Sequence, residues 1–221
     1  MTKKTKIGVL VSGSGTNLQS IIDNIEKGLL DADIRVIISS NPDAYALKRA
    51  KRRNIPAKII EHEDFKKREE FDRKMIDILR SYSVELVVMA GFMRILSPFF
   101  LKAFPMRIMN IHPALLPSFS GLHGQQKAFR YGVKFSGCTV HFVDEGVDTG
   151  PIIIQAVVPV CDDDTEETLA ARILKEEHRI YSQAIQLYAE GKLEVVGRRV
   201  RIKGHKQIGE SPLHNPPLTK F

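Results

Sequence analysis

The sequence predicts an α/β protein with a Rossmann-like, mostly parallel twisted sheet, helices on both faces and antiparallel strands added in the C-terminal half. Between Lys6 and Ile111, apolar runs of strand length alternate with segments of helical periodicity. Such alternation is typical of right-handed βαβ units in a parallel sheet. After Pro117 two apolar runs follow each other without a helix between them, which predicts an antiparallel hairpin.

The elements of the first half follow from their periodicity. Strands are predicted over 6–11, 34–39, 57–61, 86–90 and 107–111, and helices over 17–27, 45–53, 65–81 and a short piece after Pro98. In the second half we expect a loop over 118–124, a short helix over 125–131, strands over 137–143 and 151–159, a long helix to about residue 189 and a last hairpin over 193–202.

Two of these elements have recognisable ends. Asp164 stands at the predicted N-cap of the long helix, with Glu167 three residues later, and such side chains satisfy free backbone amides. The last hairpin is predicted to turn at Gly197-Arg198.

Length and composition predict a single domain over 1–203 and a poorly ordered tail over 204–221. The chain has 221 residues, of which 43% are hydrophobic, enough for a core without disulfides or metals. From Gly204 onward Pro, Gly, His and Lys dominate without periodicity, as in segments that do not pack.

Composition also indicates a cytoplasmic protein. No charge-free apolar run approaches the ~18–20 residues of a membrane span, and the basic N-terminus leads into a strand instead of a cleavage site. Cys138 and Cys161 lack the spacing of a zinc site or disulfide framework, and both are predicted to be buried thiols. The net charge is +7, but basic residues are dispersed among acidic ones, so we expect small anionic ligands and neither a nucleic acid nor a membrane as partner.

Three polar residues predict acyl-transfer chemistry. Asn110 and His112 lie two residues apart on a predicted strand, so their side chains point the same way. Asp148 lies in a glycine-punctuated turn after strand 137–143, and we expect its charge to raise the pKa of His112. The amide can donate to an oxyanion while the imidazole moves a proton. Taken alone, a strand histidine is more often a core residue, and a turn aspartate usually serves its turn.

Two further segments are candidate ligand sites at the carboxyl ends of strands. Residues 12–19 form a Ser/Gly-rich loop that opens the first helix, where backbone amides and the helix dipole attract phosphate; a loop that only makes the bend is the alternative. Residues 87–98 end in an apolar Met-Arg-Ile-Leu loop, which suits a flat heteroaromatic ring or, alternatively, a plug at the sheet edge. The 118–124 loop is a candidate lid.

Together these segments resemble the formyltransferase family that uses 10-formyltetrahydrofolate. The matching motifs are Gly13 to Gln19, Arg68 in an Arg-Glu-Glu-Phe-Asp helix, Ala90 to Pro98, Asn110 to Pro117, Gly121 to His123, Gly137 to Pro151 and Glu176 to His178. Ala114, where Ser is common, and Thr149, where Gly also occurs, depart from the pattern without removing a reactive group. The Gly-Ser-Gly-Thr-Asn loop is similar to that of members acting on glycinamide ribonucleotide.

The resemblance implies transfer of the formyl group of the co-substrate 10-formyltetrahydrofolate to the amine of 5-phosphoribosylglycinamide in de novo purine (IMP) biosynthesis, without a metal. It implies small-molecule substrates and either a monomer or a homodimer. It assigns catalysis to Asn110, His112 and Asp148, the ribonucleotide to Gly15, Thr16, Asn17 and Glu177, and the folate to Arg68, Met93, Arg94, Ile95, Leu96, Asn110 and Asp144. The N-terminal half would bind the phosphate and the C-terminal half would complete the folate and catalytic sites.

Two enzymes with a similar core are alternatives. Methionyl-tRNA formyltransferase is expected to carry a further RNA-binding domain after the catalytic one, and formyltetrahydrofolate deformylase a regulatory domain before the first strand; neither segment is expected here. A non-enzymatic nucleotide-binding module would explain the glycine loop but would leave Asn110, His112 and Asp148 without a role.

Overall fold

The computed structural model describes residues 4–204 and 213–215. The strands are β1 (Thr5–Val11), β2 (Ala32–Ser39), β3 (Ala57–Ile59), β4 (Leu86–Met89), β5 (Ile108–His112), β6 (Phe135–Phe142), β7 (Ile152–Pro159), β8 (Leu193–Val196) and β9 (Arg199–Ile202). The helices are α1 (Thr16–Glu26), α2 (Tyr45–Arg52), α3 (Arg68–Ser81), α4 (Pro98–Ala103), α5 (Gly124–Tyr131) and α6 (Glu166–Ala189).

All of these strands join one sheet, in the order β3-β2-β1-β4-β5-β6-β7-β9-β8. The pairs from β3 to β5 are parallel. β6 pairs antiparallel with both β5 and β7, and β8 with β9. The predicted fold class is therefore confirmed, including the hairpin formed by β6 and β7. β1 lies between β2, which follows it in the chain, and β4, so the strand order reverses at β1. In open α/β sheets such a reversal leaves a ligand-binding crevice beyond the carboxyl ends of the two strands, here β1 and β4.

Hydrophobic layers cover both faces of the sheet. Ile7 and Val9 of β1 pack with α1, α2 and α6, whereas Leu10 packs with α3 and α4 on the opposite face. This alternation follows from the two-residue period of a strand. Gly8 permits α3 to approach, because a Cβ at that position would lie 2.4 Å from Leu79 Cδ2.

α3 begins later than its periodicity predicts. Residues 62–64 form a separate 3₁₀ turn, and Phe65 is extended with φ of −122°. The Phe65 ring packs edge-on against Phe71, with centroids 5.7 Å apart. Phe65 therefore lies outside the helix with its ring against the first turn of α3, which starts at Arg68.

The predicted cap of α6 is wrong by one residue. Thr165 is the N-cap and forms a reciprocal capping box with Thr168, so the prediction that Glu167 completes the cap is also wrong. Asp164 instead accepts two hydrogen bonds from Arg172, of 2.6 and 2.7 Å. A carboxylate beside a guanidinium gains more from a bidentate ion pair than from a neutral backbone amide.

The last hairpin turns as predicted between β8 and β9. Cys138 is buried, but Cys161 is exposed in the turn that follows β7, so its predicted burial is wrong. Most of the predicted 204–221 tail lies outside the described residues; Asn215 donates to the carbonyls of Lys134 and Val160. Within the described ranges, every helix is too short or too polar to cross a bilayer.

Candidate active site

The three polar residues singled out from the sequence lie together at the carboxyl end of β5. Asn110 and His112 occupy alternate positions of that strand. Asp148 comes from the loop between β6 and β7: its Oδ2 atom lies 3.2 Å from His112 Nδ1, and its Oδ1 atom 3.5 Å from Asn110 Nδ2. The Asp148 carboxylate is thus within hydrogen-bond distance of both the imidazole and the amide.

Asp148 is held in an uncommon backbone conformation. Its φ is +56°, in the left-handed region that aspartate tolerates better than most residues. Its Oδ2 atom accepts a 2.7 Å hydrogen bond from the Gly121 amide. Burial by itself would raise the pKa of Asp148, but hydrogen bonds from His141 and Gly121 and the neighbouring imidazoles outweigh it, so the pKa is lowered. The carboxylate is therefore ionised at neutral pH.

The His112 ring is buried between two oxygen atoms. Its Nε2 atom lies 2.9 Å from the carbonyl oxygen of Phe119, while Nδ1 faces Asp148. Burial lowers the pKa of His112 by more than Asp148 and Phe119 raise it. Asp148 raises the pKa of His112 as predicted, but the net shift is downward, because desolvation of the charged ring exceeds the attraction of one carboxylate.

Neither neutral form of His112 satisfies both neighbours. A proton on Nε2 is donated to Phe119 and leaves the Nδ1 lone pair facing a carboxylate, and a proton on Nδ1 leaves Nε2 facing a carbonyl oxygen. The ring is therefore poised to take up a second proton as soon as a further negative charge forms beside it.

A fourth polar residue, His141, completes the cluster. β6 places it directly opposite Asn110 in the antiparallel register. Its Nε2 atom lies 3.3 Å from Asn110 Nδ2 and 3.6 Å from Asp148 Oδ1, and its Nδ1 atom lies 2.8 Å from the Phe142 carbonyl oxygen. Nδ1 donates to that carbonyl, so Nε2 is the ring atom that faces both the Asn110 amide and the Asp148 carboxylate.

His141 is not among the residues singled out from the sequence. The missing information was the strand register, since a shift of one residue between β5 and β6 would turn His141 away from Asn110. The two contacts of Asn110 Nδ2, 3.3 and 3.5 Å, are long, so its amide is oriented by its neighbours but free to exchange them for a stronger acceptor.

The glycine loop after β1 precedes α1 directly. Gly15 has φ of +69° at the N-cap position, and Thr16 begins the helix. A Cβ at Gly15 would lie 2.7 Å from Ala46 Cβ, so glycine also lets α2 pack against the loop. Arg49 of α2, which sequence reasoning missed, donates to the Ser14 carbonyl at 2.9 Å. The position of Arg49 behind the glycine loop depends on how α2 packs in the folded protein, so the sequence does not indicate it.

Asn17 and Glu177, predicted to serve the same ligand, are in contact although 160 residues apart. Asn17 Nδ2 donates to Glu177 Oε2 at 2.8 Å, and both residues are largely buried. Asn17 Oδ1 is buried without a hydrogen-bond partner among the described residues. Burial raises the pKa of Glu177 despite the bond from Asn17.

The predicted folate segment lies beside the glycine loop. The Ser12 amide donates to the Gly91 carbonyl, and the Met93 amide donates to Ser12 Oγ, both at 3.0 Å. Met93 and Ile95 are 68% and 61% exposed, leaving an apolar surface at the crevice. The predicted phosphate site in the glycine loop and the predicted site for a heteroaromatic ring would therefore be next to each other.

The remaining predicted folate residues differ in their surroundings. Leu96 is buried, with its side chain in the hydrophobic core. Arg68 donates to the Ile95 carbonyl, and Arg94 is exposed. Asp144 accepts from the Gly146 amide and from Thr149 Oγ1. The described residues contain no group of three or more His, Cys, Asp or Glu side chains arranged to hold a metal ion.

A Rossmann-like sheet with an amide, an imidazole and a carboxylate at its carboxyl edge is suited to acyl-type group transfer. The sequence model described as "Formyl transferase" matches residues 5–185, and the chain belongs to that family.

Individual relatives show which members of the formyl transferase family this chain is similar to. The chain is 44% identical over 190 residues to phosphoribosylglycinamide formyltransferase of Haemophilus influenzae, covering 86% of this chain and 90% of that protein. It is 45% identical to the trifunctional purine biosynthetic protein adenosine-3 of Gallus gallus over 88% of its own length, but spans only 19% of that longer protein. The crystal structure of glycinamide ribonucleotide transformylase 1 from Symbiobacterium toebii has a TM-score of 0.89 and 51% identity, covering 91% of this chain and 95% of that one.

Proposed function

We propose that this protein transfers the formyl group of 10-formyltetrahydrofolate to the amine of 5-phosphoribosylglycinamide. The products are N-formylglycinamide ribonucleotide and tetrahydrofolate, in de novo purine (IMP) biosynthesis. The observation that carries the proposal is the contact of Asp148 with both Asn110 and His112 in a chain so similar to phosphoribosylglycinamide formyltransferases. The two ligand segments that adjoin this cluster support it.

The reaction begins with attack of the substrate amine on the formyl carbon. The carbonyl bond opens to a tetrahedral adduct whose oxygen carries negative charge. Asn110 exchanges its long contacts for a hydrogen bond to that oxygen, and one such donor is typically worth about 10²–10³ in rate. Holding both substrates in one crevice supplies a further large part of the acceleration.

His112 and Asp148 manage the protons. Charge on the adduct oxygen raises the proton affinity of the nearly neutral His112 ring, and Asp148 stabilises the imidazolium that forms. The proton lost by the attacking amine passes to this pair directly or through one water. His112 then gives a proton to the folate nitrogen as the carbon–nitrogen bond breaks, so that no net charge is left on the leaving group. Every step is heterolytic and uses no metal.

Each ligand has a proposed set of contacts. The backbone amides at the start of α1 bind the ribonucleotide phosphate, and Glu177 binds the rest of that substrate. The ribonucleotide residues are Gly15, Thr16, Asn17 and Glu177. The folate residues are Arg68, Met93, Arg94, Ile95, Leu96, Asn110 and Asp144.

We propose further that residues 1–203 act as a single domain in the cytoplasm, with small-molecule substrates and no nucleic-acid or membrane partner. The protein would act as a monomer or a homodimer. The continuous sheet from β3 to β8 supports the single domain, because neither half encloses its core alone.

The test is a formyl-transfer assay with three acceptors: 5-phosphoribosylglycinamide, charged initiator tRNA and water. We expect transfer to the ribonucleotide alone, with release of tetrahydrofolate followed by absorbance. Faster transfer to tRNA, or hydrolysis at the same rate without any acceptor, would overturn the proposal.

A further inference from the structure

The loop between β6 and β7, residues 143–151, carries Asp148 and is fixed from within by Asp144. Asp144 Oδ1 accepts 3.2 and 2.6 Å hydrogen bonds from the Gly146 amide and Thr149 Oγ1. Gly150 packs so closely on β6 that a Cβ there would lie 1.8 Å from the Phe142 carbonyl oxygen. Both contacts restrict the backbone on either side of Asp148.

A second attachment reaches this loop from the C-terminal hairpin. Arg198 Nη2 donates a 2.6 Å hydrogen bond to the carbonyl oxygen of Thr149, the residue after Asp148. Arg198 lies at the two-residue tip between β8 and β9, where Gly197 has φ of +60°. Such a tip follows the twist of its strands and projects a side chain in a fixed direction. The pairing of Arg199 with Ile152 joins the hairpin to β7 beside the loop.

The bond matters because of the conformation it supports. A non-glycine residue in the left-handed region persists only where its surroundings fix the backbone. Asp148 is in that region, and its carboxylate must reach His112 at 3.2 Å. A guanidinium bound to the Thr149 carbonyl restrains the peptide unit that joins Thr149 to Gly150, one residue beyond Asp148, and so limits how far the backbone beside Asp148 can move.

We propose that Arg198 is a positioning residue for catalysis, acting through Thr149 on Asp148. This inference rests on the proposed function and adds a residue outside the segment that the formyl transferase family model matches, 5–185. The hairpin of β8 and β9 would thus help to position Asp148 without contacting substrate itself.

Three variants test the inference. In Arg198→Ala, we expect kcat to fall about tenfold, the effect of losing one charge-assisted hydrogen bond, with an unchanged KM for the ribonucleotide because the glycine loop is untouched. Arg198→Lys keeps a donor at the tip and should recover part of the loss. Arg199→Ala removes the same charge from the next residue and should behave as wild type, since its bridge to Ile152 uses backbone atoms.

Two readouts separate positioning from mere stabilisation. The carboxylate raises the pKa of His112, so a displaced Asp148 shifts the His112-dependent limb of the pH–rate profile to lower pH. Hydrogen–deuterium exchange of peptides covering 143–151 should be faster in Arg198→Ala than in Arg199→Ala, without substrates present.

Wild-type kinetics and exchange in Arg198→Ala, or an equal loss in Arg199→Ala, would overturn the inference. An inactive wild-type protein would overturn the proposed function instead, and the exchange comparison would still decide whether Arg198 holds the loop.

Discussion

His112 is the residue on which the proposed chemistry depends most. We expect His112→Ala to lose about 10²–10⁴ in kcat, the usual contribution of a general acid–base. Binding of the ribonucleotide, measured by titration calorimetry, should persist because the glycine loop and Glu177 are unchanged. His62→Ala, which removes an imidazole packed on Phe71 outside the cluster, is the matched control. Near-normal turnover of His112→Ala would refute its role.

The protonation of His112 gives a second prediction at this scale. Because burial lowers its pKa, the ring of the free protein should titrate below pH 6.5 in an NMR pH series. Asp148→Asn removes a charge that raises the pKa, so the midpoint should move lower still. The unfolded ring takes up a proton before the folded one, so His112 costs stability as pH falls below about 6.5. A midpoint above 6.5 would contradict this.

Single residues also show the limit of sequence reasoning. The spacing of Asn110 and His112 was enough to predict that their side chains share a direction. The charge effect of Asp148 on the pKa of His112 was predicted correctly, but the larger, opposite effect of burial was not, because burial depends on how the folded chain surrounds the ring.

Among the elements, the start of α1 should bind anions. Inorganic phosphate is expected to compete with the ribonucleotide and not with the folate, because the amide groups of the glycine loop recognise the phosphate alone. Initial rates with each substrate varied in turn measure this. Competition against the folate only would contradict the assignment.

A variant of the same loop gives an independent prediction. In Gly15→Ala the new Cβ meets Ala46 at 2.7 Å in a left-handed conformation. The resulting strain, of order 1–3 kcal/mol, should displace the loop and raise the KM for the ribonucleotide about tenfold, with little change in the KM for the folate. The control is Gly13→Ala, where a Cβ meets no atom within 4 Å.

The elements themselves were largely predictable, since periodicity depends on neighbours along the chain. Boundaries failed where side-chain contacts at the start of a helix differed from those that the periodicity and capping pattern predicted. Phe65 packs on Phe71 from outside α3, and Asp164 pairs with Arg172 while Thr165 caps α6.

At the scale of the whole molecule, one hydroxyl group on α6 contacts two strands of the sheet. The Tyr181 hydroxyl lies 2.9 and 3.0 Å from the carbonyl oxygens of Met89 and Met109, which are on the neighbouring strands β4 and β5. Tyr181→Phe leaves buried carbonyls without this donor, so we expect about 1–3 kcal/mol less stability, seen as a lower urea midpoint. Tyr188→Phe, whose contact with the Glu85 carbonyl is 3.5 Å, should lose less. Equal midpoints for the two variants would contradict this account.

The sequence alone determined the alternation of strands and helices, the glycine loop at the start of α1 and the shared direction of Asn110 and His112. Each is fixed by residue type and by spacing along the chain, within one element. Only the tertiary structure decided that His141 faces Asn110 and that Asn17 meets Glu177. It also decided that Arg198 reaches Thr149 and that His112 is buried deeply enough to stay neutral. These depend on strand register and on desolvation, which arise from residues far apart in the chain.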